Sequence, residues 1–538
     1  MDPEDAKNIL CRVTVLLVIA LLLLHIARCC KKPKWLRMFY VWIGTLAILG
    51  GTWAFFLPIA INSGFGKNDD GSALRQTLIY TTGGVLGVIT LGETRHKNDQ
   101  EHMRQVHAER RSRYATAVEQ LADEKAPIRL GGVYTLVKLI DEWLADEKTL
   151  PNKEERREEG QVIINSLCAY ICSPFDLDSK AEELPQDEAP VNYERRAQQF
   201  VKDQAKFREE KELRLTILNA IRTRLGGTIT QGDGTKKILE GPWSDFNYDF
   251  SNARFFYPIS FASSYFGAST KFTGAEFTEN ASFFEAEFTE NAIFFEAKFT
   301  KDAIFSGAEF TENAIFSGAE FTENAIFSGA EFTENAIFSG AEFTENAIFS
   351  EAEFTENAIF FEAKFTKDAD FSGAKFTKIT IFSGAKFTGI ADFFGAEFTK
   401  VDFSGATFTE NARFSEAEFT EITIFSGAKF TKITIFSGAE FTENAIFFGA
   451  EFTENAIFFG ATFEGKPKFE YTLDNKTYKA RFSCKADPKD YNFEASNDSP
   501  CIIDTEEQEY NGVKFMIPKG AELFNPDEPP VQEDNDDN

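Results

Sequence analysis

The sequence has little histidine and a large deficit of positive charge. Only four of its 538 residues are His (His25, His96, His102 and His107), and all four lie within the first 107 positions. The rest of the chain therefore lacks the residues for histidine-based catalysis or His-rich metal sites. The formal net charge is −29, which argues against a protein built to bind nucleic-acid phosphates. We accordingly expect no direct nucleic-acid binding.

Cysteine is also scarce. The seven cysteines are scattered without a C-x-x-C pair, which does not fit a disulfide framework. Cys168 and Cys172 lie four apart in an apolar helical stretch, so we expect thiols on one helix face, buried rather than bound to metal. Cys484 and Cys501 could form a bridge, but only in an oxidising compartment.

Long apolar runs occur only near the N-terminus, at residues 9–27, 38–61 and 77–92. The first two approach the roughly 20 residues that a helix needs to cross a bilayer, whereas the third is shorter and glycine-rich. Lys and Arg cluster at residues 28–37 and again at 95–113. Three crossings place both clusters in the cytoplasm, as the positive-inside rule requires. The sequence therefore predicts three spans, with the N-terminus and the loop near 68–70 outside.

The next region, to about residue 240, is highly charged and favours helix. Apolar residues at three- and four-residue spacing predict helices over 93–122, 126–144, 162–172 and 194–225. The acidic, proline-bearing stretch 176–190 is interpreted as a surface linker. The glycine-rich stretch 226–237 lacks the Lys-Ser/Thr that a phosphate-binding loop requires, so it is interpreted as a flexible hinge.

Phenylalanine is the residue in excess, with 60 copies. From about 250 to 463 the chain repeats FTENAIFSGAE with a period of eleven, and about forty Phe alternate at steps of five and six. A helix would place successive Phe about 120° apart, so a helical stripe is excluded. Ala-x-Phe instead fits a short strand with Ala and Phe on one side. The sixth residue of alternate units (Asn313, Asn324, Asn335) predicts a bulged corner, since Asn tolerates left-handed backbone.

The unit small-x-Phe-Ser/Thr-x resembles the pentapeptide repeat over about 215 residues. The resemblance implies a right-handed quadrilateral β-helix with four units per coil and Phe inside. Forty units then give about ten coils and a rod about 50 Å long. Residues 113–139, and RLGGVY at 129–134 above all, resemble the helical module of many bacterial membrane-anchored pentapeptide-repeat proteins. That module has no established activity in the family.

The predicted fold class is therefore multi-domain: transmembrane helices, an α-helical module, and a β-helix solenoid with a small C-terminal cap. The boundaries place a transmembrane anchor at 1–92, the helical module at 93–240 and the pentapeptide-repeat β-helix at 246–463. The cap follows at 464–524, since solenoids need capped ends. The acidic, proline-rich tail 525–538 is predicted to be disordered.

Near-identical copies cannot build a catalytic constellation, which needs different groups at fixed places. We therefore predict a non-enzymatic protein with no catalytic, cofactor-binding or metal-binding residue. The predicted role is a membrane-tethered scaffold for protein–protein interaction in the bacterial inner membrane, multi-pass, with its C-terminal domains in the cytoplasm. Its expected partners are the lipid bilayer and either an unidentified protein or a second copy of the chain.

Two alternatives remain open at this stage. Residues 250–463 hold about 32 acids against 13 bases, and some soluble pentapeptide-repeat proteins present acidic rods to DNA gyrase. The first alternative is therefore an acidic, DNA-mimicking regulator of a DNA-binding enzyme. The second is an accessory subunit of a membrane transporter or sensor, against which the lack of Asp, Glu and Lys in the second and third spans counts.

Isoleucine marks the candidate interaction face. In Ala-x-Phe strands the middle residue points outward, and in alternate units it is Ile. The candidate residues are Ile304, Ile315, Ile326, Ile337 and Ile348. An exposed ladder of this kind exceeds the apolar patches of most soluble monomers. Either a partner, another copy or the helical module covers it, or the extra residue of the unit turns Ile inward.

Overall fold

The computed structural model describes residues 1–27, 38–62, 70–186, 197–230, 232, 236–474 and 476–528. The basic loop predicted at 28–37, most of the loop at 68–70 and the last ten residues of the predicted tail lie outside the described residues. The chain divides into two compact units, Met1–Ser112 and Arg113–Asn538. Each unit is described by itself.

The first unit consists of three helices: α1 (Pro3–Ala27), α2 (Met38–Ala60) and the first part of α3 (Asp70–Leu121). Trp53 on α2 donates its indole N–H to the hydroxyl of Thr14 on α1, at 3.0 Å. Gly50 on α2 faces Thr82 on α3 so closely that a Cβ at Gly50 would lie 2.3 Å from the Thr82 side chain. The middle helix therefore packs against both of its neighbours.

One helix of the described part of the chain, α2, is long and apolar enough to cross a membrane, over Ile43–Ala60. The other two predicted spans, 9–27 and 77–92, fall within α1 and α3 and stay predictions. The third predicted span and the predicted stalk 93–122 belong to a single continuous helix of 52 residues.

The second unit begins with the end of α3 and continues with α4 (Ala126–Leu144), α5 (Lys153–Cys172) and α6 (Ala197–Arg222). Pro127 in the first turn of α4 suits a helix start, because its missing N–H would have no partner there. Asn152 caps α5 by accepting the backbone N–H of Glu154. Because of this cap, α5 begins nine residues before the predicted helix, and its charged first turns precede the apolar part.

Two local predictions are wrong. Residues 176–186 are not a surface linker: they include a 3₁₀ turn (Asp178–Lys180), and Leu177 and Leu184 are buried. Leucines at these positions bury apolar area that outweighs the acidic composition around them. The stretch 226–237 is not a flexible hinge either. Gly226–Thr230 pairs antiparallel with Lys236–Glu240, and Gly226 (φ +123°) lies where a Cβ would be 2.0 Å from the Leu239 carbonyl oxygen.

The rest of the second unit is a β-solenoid of about ten coils. Its strands run from Tyr248–Asp249 to Thr462–Phe463, and nearly all are two residues long. One coil comprises Ala303–Ile304, Glu309–Phe310, Ala314–Ile315 and Glu320–Phe321. Each of these four strands pairs in parallel with the strand 22 residues further along, so four units close one coil. The period of eleven is therefore half a coil.

Two longer strands, Lys375–Ile381 and Glu397–Asp402, each continue around a corner from one side of the solenoid to the next. The second contains the one place where the extra residue of the repeat is missing, between Phe398 and Phe403. The pairing of the two strands accordingly shifts register between Phe376 and Ile379. The solenoid absorbs the missing residue as a local bulge.

Left-handed backbone was predicted at the corners that contain the extra Asn, but it occurs at the other corners, those with the Ser-Gly sequence. Positive φ falls on the glycine of the Ser-Gly corners, as at Gly307 (+62°) and Gly318 (+65°), and on the glutamate of equivalent corners, as at Glu351 (+57°). The extra Asn residues keep ordinary backbone. Their side chains instead form amide ladders, in which Asn335 donates to Asn313 at 2.9 Å. The Ser-Gly corner lies in the step of five residues between successive Phe, and the Asn corner lies in the step of six. The shorter step makes the tighter turn, so it is the one that needs a residue with left-handed backbone.

Both ends of the solenoid are covered. At the N-terminal end, Phe207 of α6 contacts Phe256 at a ring distance of 5.1 Å, and the Tyr265 N–H donates to the Leu225 carbonyl. At the C-terminal end, Arg481–Ser483 and Tyr491–Asn492 extend two sides of the solenoid, and Glu522–Phe524 adds to the first of these. Two antiparallel hairpins project from this irregular coil: Glu470–Leu473 with Lys476–Lys479, and Thr505–Tyr510 with Val513–Pro518.

The cysteines of the second unit are free thiols. Cys168 is buried, and burial raises its pKa well above the ordinary value. Cys172 is half-buried, and burial followed by the neighbouring Asp249 raises its pKa to about 11. Thiols with raised pKa are protonated and unreactive at neutral pH, in agreement with a packing role.

Candidate interaction surfaces of the solenoid

The interior of the solenoid is built from Ala and Phe. Within each unit the small residue and the Phe are buried, as at Ala303 and Phe305, and the residue between them points outward. Phe rings of successive coils stack nearly parallel, with centroids 4.8 Å apart for Phe327 and Phe349. The function of the solenoid must therefore reside in the outward residues and the corners.

The outward residues form four columns, which define four faces. The first isoleucine face carries Ile293, Ile315, Ile337, Ile359 and Ile381 on five successive coils. The second isoleucine face, on the opposite side, carries Ile304, Ile326 and Ile348. Of the five candidate interaction residues, Ile315 and Ile337 lie on the first isoleucine face, and the other three lie on the second.

The isoleucines point outward but are only half-exposed. Each is aligned with the isoleucine of the next coil, as Ile304 is with Ile326, so neighbouring side chains in the column cover one another. The extra residue of the unit has not turned them into the core, which Ala and Phe fill. The ladder is therefore a continuous apolar strip of five coils on the first isoleucine face and of three coils on the second, where Asp370 follows Ile348.

Sequence reasoning missed a set of exposed phenylalanines at the corners. They replace the serine of the Ser-Gly corner, and their exposed fractions are large: 40% for Phe295 and 45% for Phe361. Both lie at the edge of the first isoleucine face, three coils apart. The signal was the doubled Phe in two FFEAKFTKD segments, whose spacing of 66 residues is three times 22. The two segments therefore lie on the same side of the solenoid.

The two charged faces differ. On the face that follows the first isoleucine face, here called the paired face, acids and bases of adjacent coils form ion pairs: Lys298 Nζ lies 3.0 Å from Glu320, and Arg481 lies 2.8 Å from Glu451. Lys364 and Glu342 form another such pair. Exposed pairs add little stability, typically about 0–1 kcal/mol, but they neutralise the surface.

The opposite charged face, here called the acidic face, carries Glu287, Glu309, Glu331 and Glu353 on four successive coils. Burial, and then the carboxylates of Glu309 and Glu353, raise the pKa of Glu331 above its ordinary value. Burial and then Glu309 likewise raise the pKa of Glu287. Like charges are thus stacked on these coils, and the nearest compensation lies at the ends of the column, where Lys375 pairs with Glu353 and Lys237 acts on Glu287.

An acidic corner joins the acidic face to the first isoleucine face. It consists of Glu290, Glu312, Glu334 and Glu356 on the same coils. The corresponding corner on the far side is mixed in charge, with Glu279, Lys301, Glu323, Glu345 and Lys367 on successive coils, and its Lys301 lies 3.7 Å from Glu323. The acidic corner therefore lies beside the first isoleucine face alone, whereas the acidic face adjoins both isoleucine faces.

Helices α4, α5 and α6 share a buried ion cluster, and Arg129, the first residue of the RLGGVY stretch, is one of its members. Arg129 donates to Glu210 at 2.5 Å, and Arg214 donates to the other oxygen of Glu210 at 2.7 Å. Tyr170 joins the cluster, and burial followed by Glu210 raises its pKa to about 12. Gly132 lies where a Cβ would be 2.8 Å from the Ala117 carbonyl oxygen. These residues hold α4 against α3, α5 and α6, which is a packing role.

Across the described ranges, no group of three or more His, Cys, Asp and Glu side chains is placed to hold a metal ion. The outward surface of the solenoid repeats residues of few types.

The pentapeptide-repeat family matches this chain in nine copies, which include residues 283–331, 294–342, 327–375, 338–385 and 371–418. Together with the β-solenoid, these matches identify the chain as a pentapeptide-repeat protein. The solenoid of this family is in general a non-enzymatic fold and commonly a scaffold for protein interaction. No curated protein and no solved structure matches the chain significantly.

Proposed function

We propose that this protein is a membrane-tethered, non-enzymatic scaffold whose solenoid binds another protein through its isoleucine faces. The observation that carries the proposal is the ladder of half-exposed Ile on five successive coils, beside the exposed Phe295 and Phe361. Rigid stacked coils hold this apolar strip in place, so little conformational entropy is lost when a partner covers it.

The tether is the N-terminal helical region. α2 has the length and composition of a membrane span, and the apolar runs in α1 and α3 supply the other two spans of a multi-pass anchor. The basic clusters at 28–37 and 95–113 favour an arrangement with the solenoid in the cytoplasm of a bacterial cell. The protein thus has two partners: the bilayer at one end and a protein, or a second copy, at the solenoid.

The DNA-mimic alternative is less well supported. The acidic face stacks four carboxylates in a row, but the paired face on the opposite side is neutralised by its own lysines. A rod that imitates the two phosphate backbones of a duplex needs negative charge on more than one side.

The proposal is tested by replacing Ile315, Ile326 and Ile337 together with Thr in the full chain. After chemical cross-linking in native membranes, the tagged protein is purified and its cross-linked partners are quantified. We expect a partner captured by the wild type to be lost from the Ile variant. A control variant with Thr322, Thr333 and Thr344 changed to Ser should retain it.

Two results would contradict the proposal. One is capture of the same partners at the same level by the Ile variant and the wild type. The other is unfolding of the solenoid in the Ile variant, seen as loss of its β-sheet circular dichroism, which would place the Ile columns in the core.

A further inference from the structure

The two isoleucine faces carry the same residue at the same spacing but have different borders. The first isoleucine face is bordered by the acidic corner and then by the acidic face. On its first four coils, from Glu287 to Glu356, those two columns hold no basic residue; on the fifth coil, beside Ile381, they carry Lys375 and Lys378. On its other edge lie Phe295 and Phe361. The second isoleucine face is bordered on one side by the mixed-charge corner that contains Lys301 and Lys367. On its other side lie a corner with the exposed Phe284 and then the acidic face, so the acidic corner is the border that the first face alone has.

The first isoleucine face and its acidic border therefore form one surface that is apolar along one strip and negative along the next. A complementary partner must present apolar side chains along one line and positive charge along a parallel line. An amphipathic helix with Lys or Arg beside its apolar side has this arrangement.

The repeat distances also agree. Successive isoleucines are one coil apart, a distance given by the 4.9 Å between the stacked rings of Phe316 and Phe338. One turn of an α-helix rises about 5.4 Å, so an apolar residue on each turn drifts only about 0.5 Å per coil. Five coils span about 20 Å, which corresponds to about 13 helical residues.

We propose that the first isoleucine face and the acidic corner beside it bind a basic amphipathic helix of three to four turns. Its apolar side lies along Ile315, Ile337 and Ile359, and its basic side chains lie along the acidic corner. This inference rests on the proposed scaffold function and names the partner class for one of its two apolar faces. The raised pKa of Glu331 fits a surface on which positive charge from a partner is favoured.

The test uses the full chain in phosphatidylcholine nanodiscs and a fluorescent 14-residue peptide of Leu and Lys with one apolar side. Binding is measured by fluorescence anisotropy, with the signal of empty discs subtracted. Changing Ile315, Ile337 and Ile359 to Thr should raise the Kd at least tenfold. The matched change of Ile304, Ile326 and Ile348 to Thr on the opposite face should alter it less than twofold.

A second pair of variants tests the charge. Changing Glu312, Glu334 and Glu356 to Gln should weaken binding several-fold and reduce its salt dependence, because the peptide then meets fewer carboxylates. The matched control changes the opposite corner, with Gln in place of Glu279, Glu323 and Glu345. Thermal unfolding of each variant establishes that the solenoid is intact.

Equal loss of binding from the two Ile variants, or equally tight binding of a peptide with Glu in place of Lys, would overturn the inference. If the peptide does not distinguish the faces but the cross-linked partner is still lost from the Ile variant, the scaffold function stands and the helix inference fails. If the peptide binds as expected but no membrane partner depends on the isoleucines, the surface assignment stands and the scaffold function fails.

Discussion

Replacing Phe327 with Ala tests whether the Phe columns hold the coils together. The ring of Phe327 is fully buried and stacks on Phe305 and Phe349 at 4.8 Å on both sides. It also meets Phe316 and Phe338 edge-on at 5.4 and 5.5 Å. A large core truncation costs about 3–5 kcal/mol. We expect the upper part of that range, about 4–5 kcal/mol, because the paired strands keep the coil spacing and prevent the cavity from collapsing.

The matched control is Phe361→Ala. It removes the same atoms from a ring that is 45% exposed at a corner, so we expect a loss of about 1 kcal/mol or less. The two variants therefore differ in burial and not in the chemistry of the change.

The assay is amide hydrogen exchange followed by mass spectrometry on the full chain, since a chain of several parts does not unfold in one step. Protection in peptides that cover residues 316–338 should fall about a thousandfold in Phe327→Ala, because each 1.4 kcal/mol is a factor of ten. The Phe361→Ala protein should lose less than tenfold in the peptides around its own site. A comparable loss in both proteins would refute the argument that the stacked interior rings are the main source of stability.

Three further predictions follow from the coil, the acidic face and the anchor. Deletion of residues 305–326, one complete coil, should shift the thermal midpoint by only a few degrees, whereas deletion of 308–312 breaks the five–six alternation and should unfold the neighbouring coils. Glu331→Gln should stabilise the solenoid near neutral pH and lose this effect in acid: the pKa of Glu331 is raised in the folded state, so the ionised carboxylate opposes folding and stability rises as the pH falls through that pKa. An unchanged stability difference from pH 7 to pH 4 in urea unfolding would contradict this. In cells, with the native cysteines replaced, a membrane-impermeant maleimide should label Asp69→Cys but not Thr300→Cys; labelling at both positions would mean that the solenoid is outside.

The Phe series was sufficient to predict the solenoid, because a residue that is buried in every unit leaves an unambiguous period in the sequence. The inward Ala-x-Phe pattern follows from that period, whereas the number of coils also needed the four units per coil that the resemblance to pentapeptide repeats implies. Helix α4 was predicted at its observed bounds from the three- and four-residue spacing of its apolar residues.

Other features depend on contacts between distant residues. The left-handed corner was assigned to Asn313 and its equivalents, because Asn tolerates that backbone; the register instead aligns these residues for side-chain ladders. Leu184 was assigned to a linker because its neighbours are acidic, but Gln204 of α6 donates to its carbonyl at 3.0 Å and holds it in the core. The difference between the two charged faces required the coil length of 22, which a period of eleven alone does not give.

The eleven-residue unit gives the solenoid an approximate twofold screw axis along its length. A rotation of 180° with a rise of half a coil brings each isoleucine face onto the other and the paired face onto the acidic face. Over the coils from Glu276 to Glu353, Lys298 distinguishes the paired face from the acidic face, and Lys301 distinguishes the corners that follow these two faces. The difference in charge between opposite sides of the solenoid therefore depends on a few residues that break the twofold symmetry of the repeat. Insertion of a single eleven-residue unit would rotate all later coils by half a turn, so it would move a bound partner to the opposite side without changing the architecture.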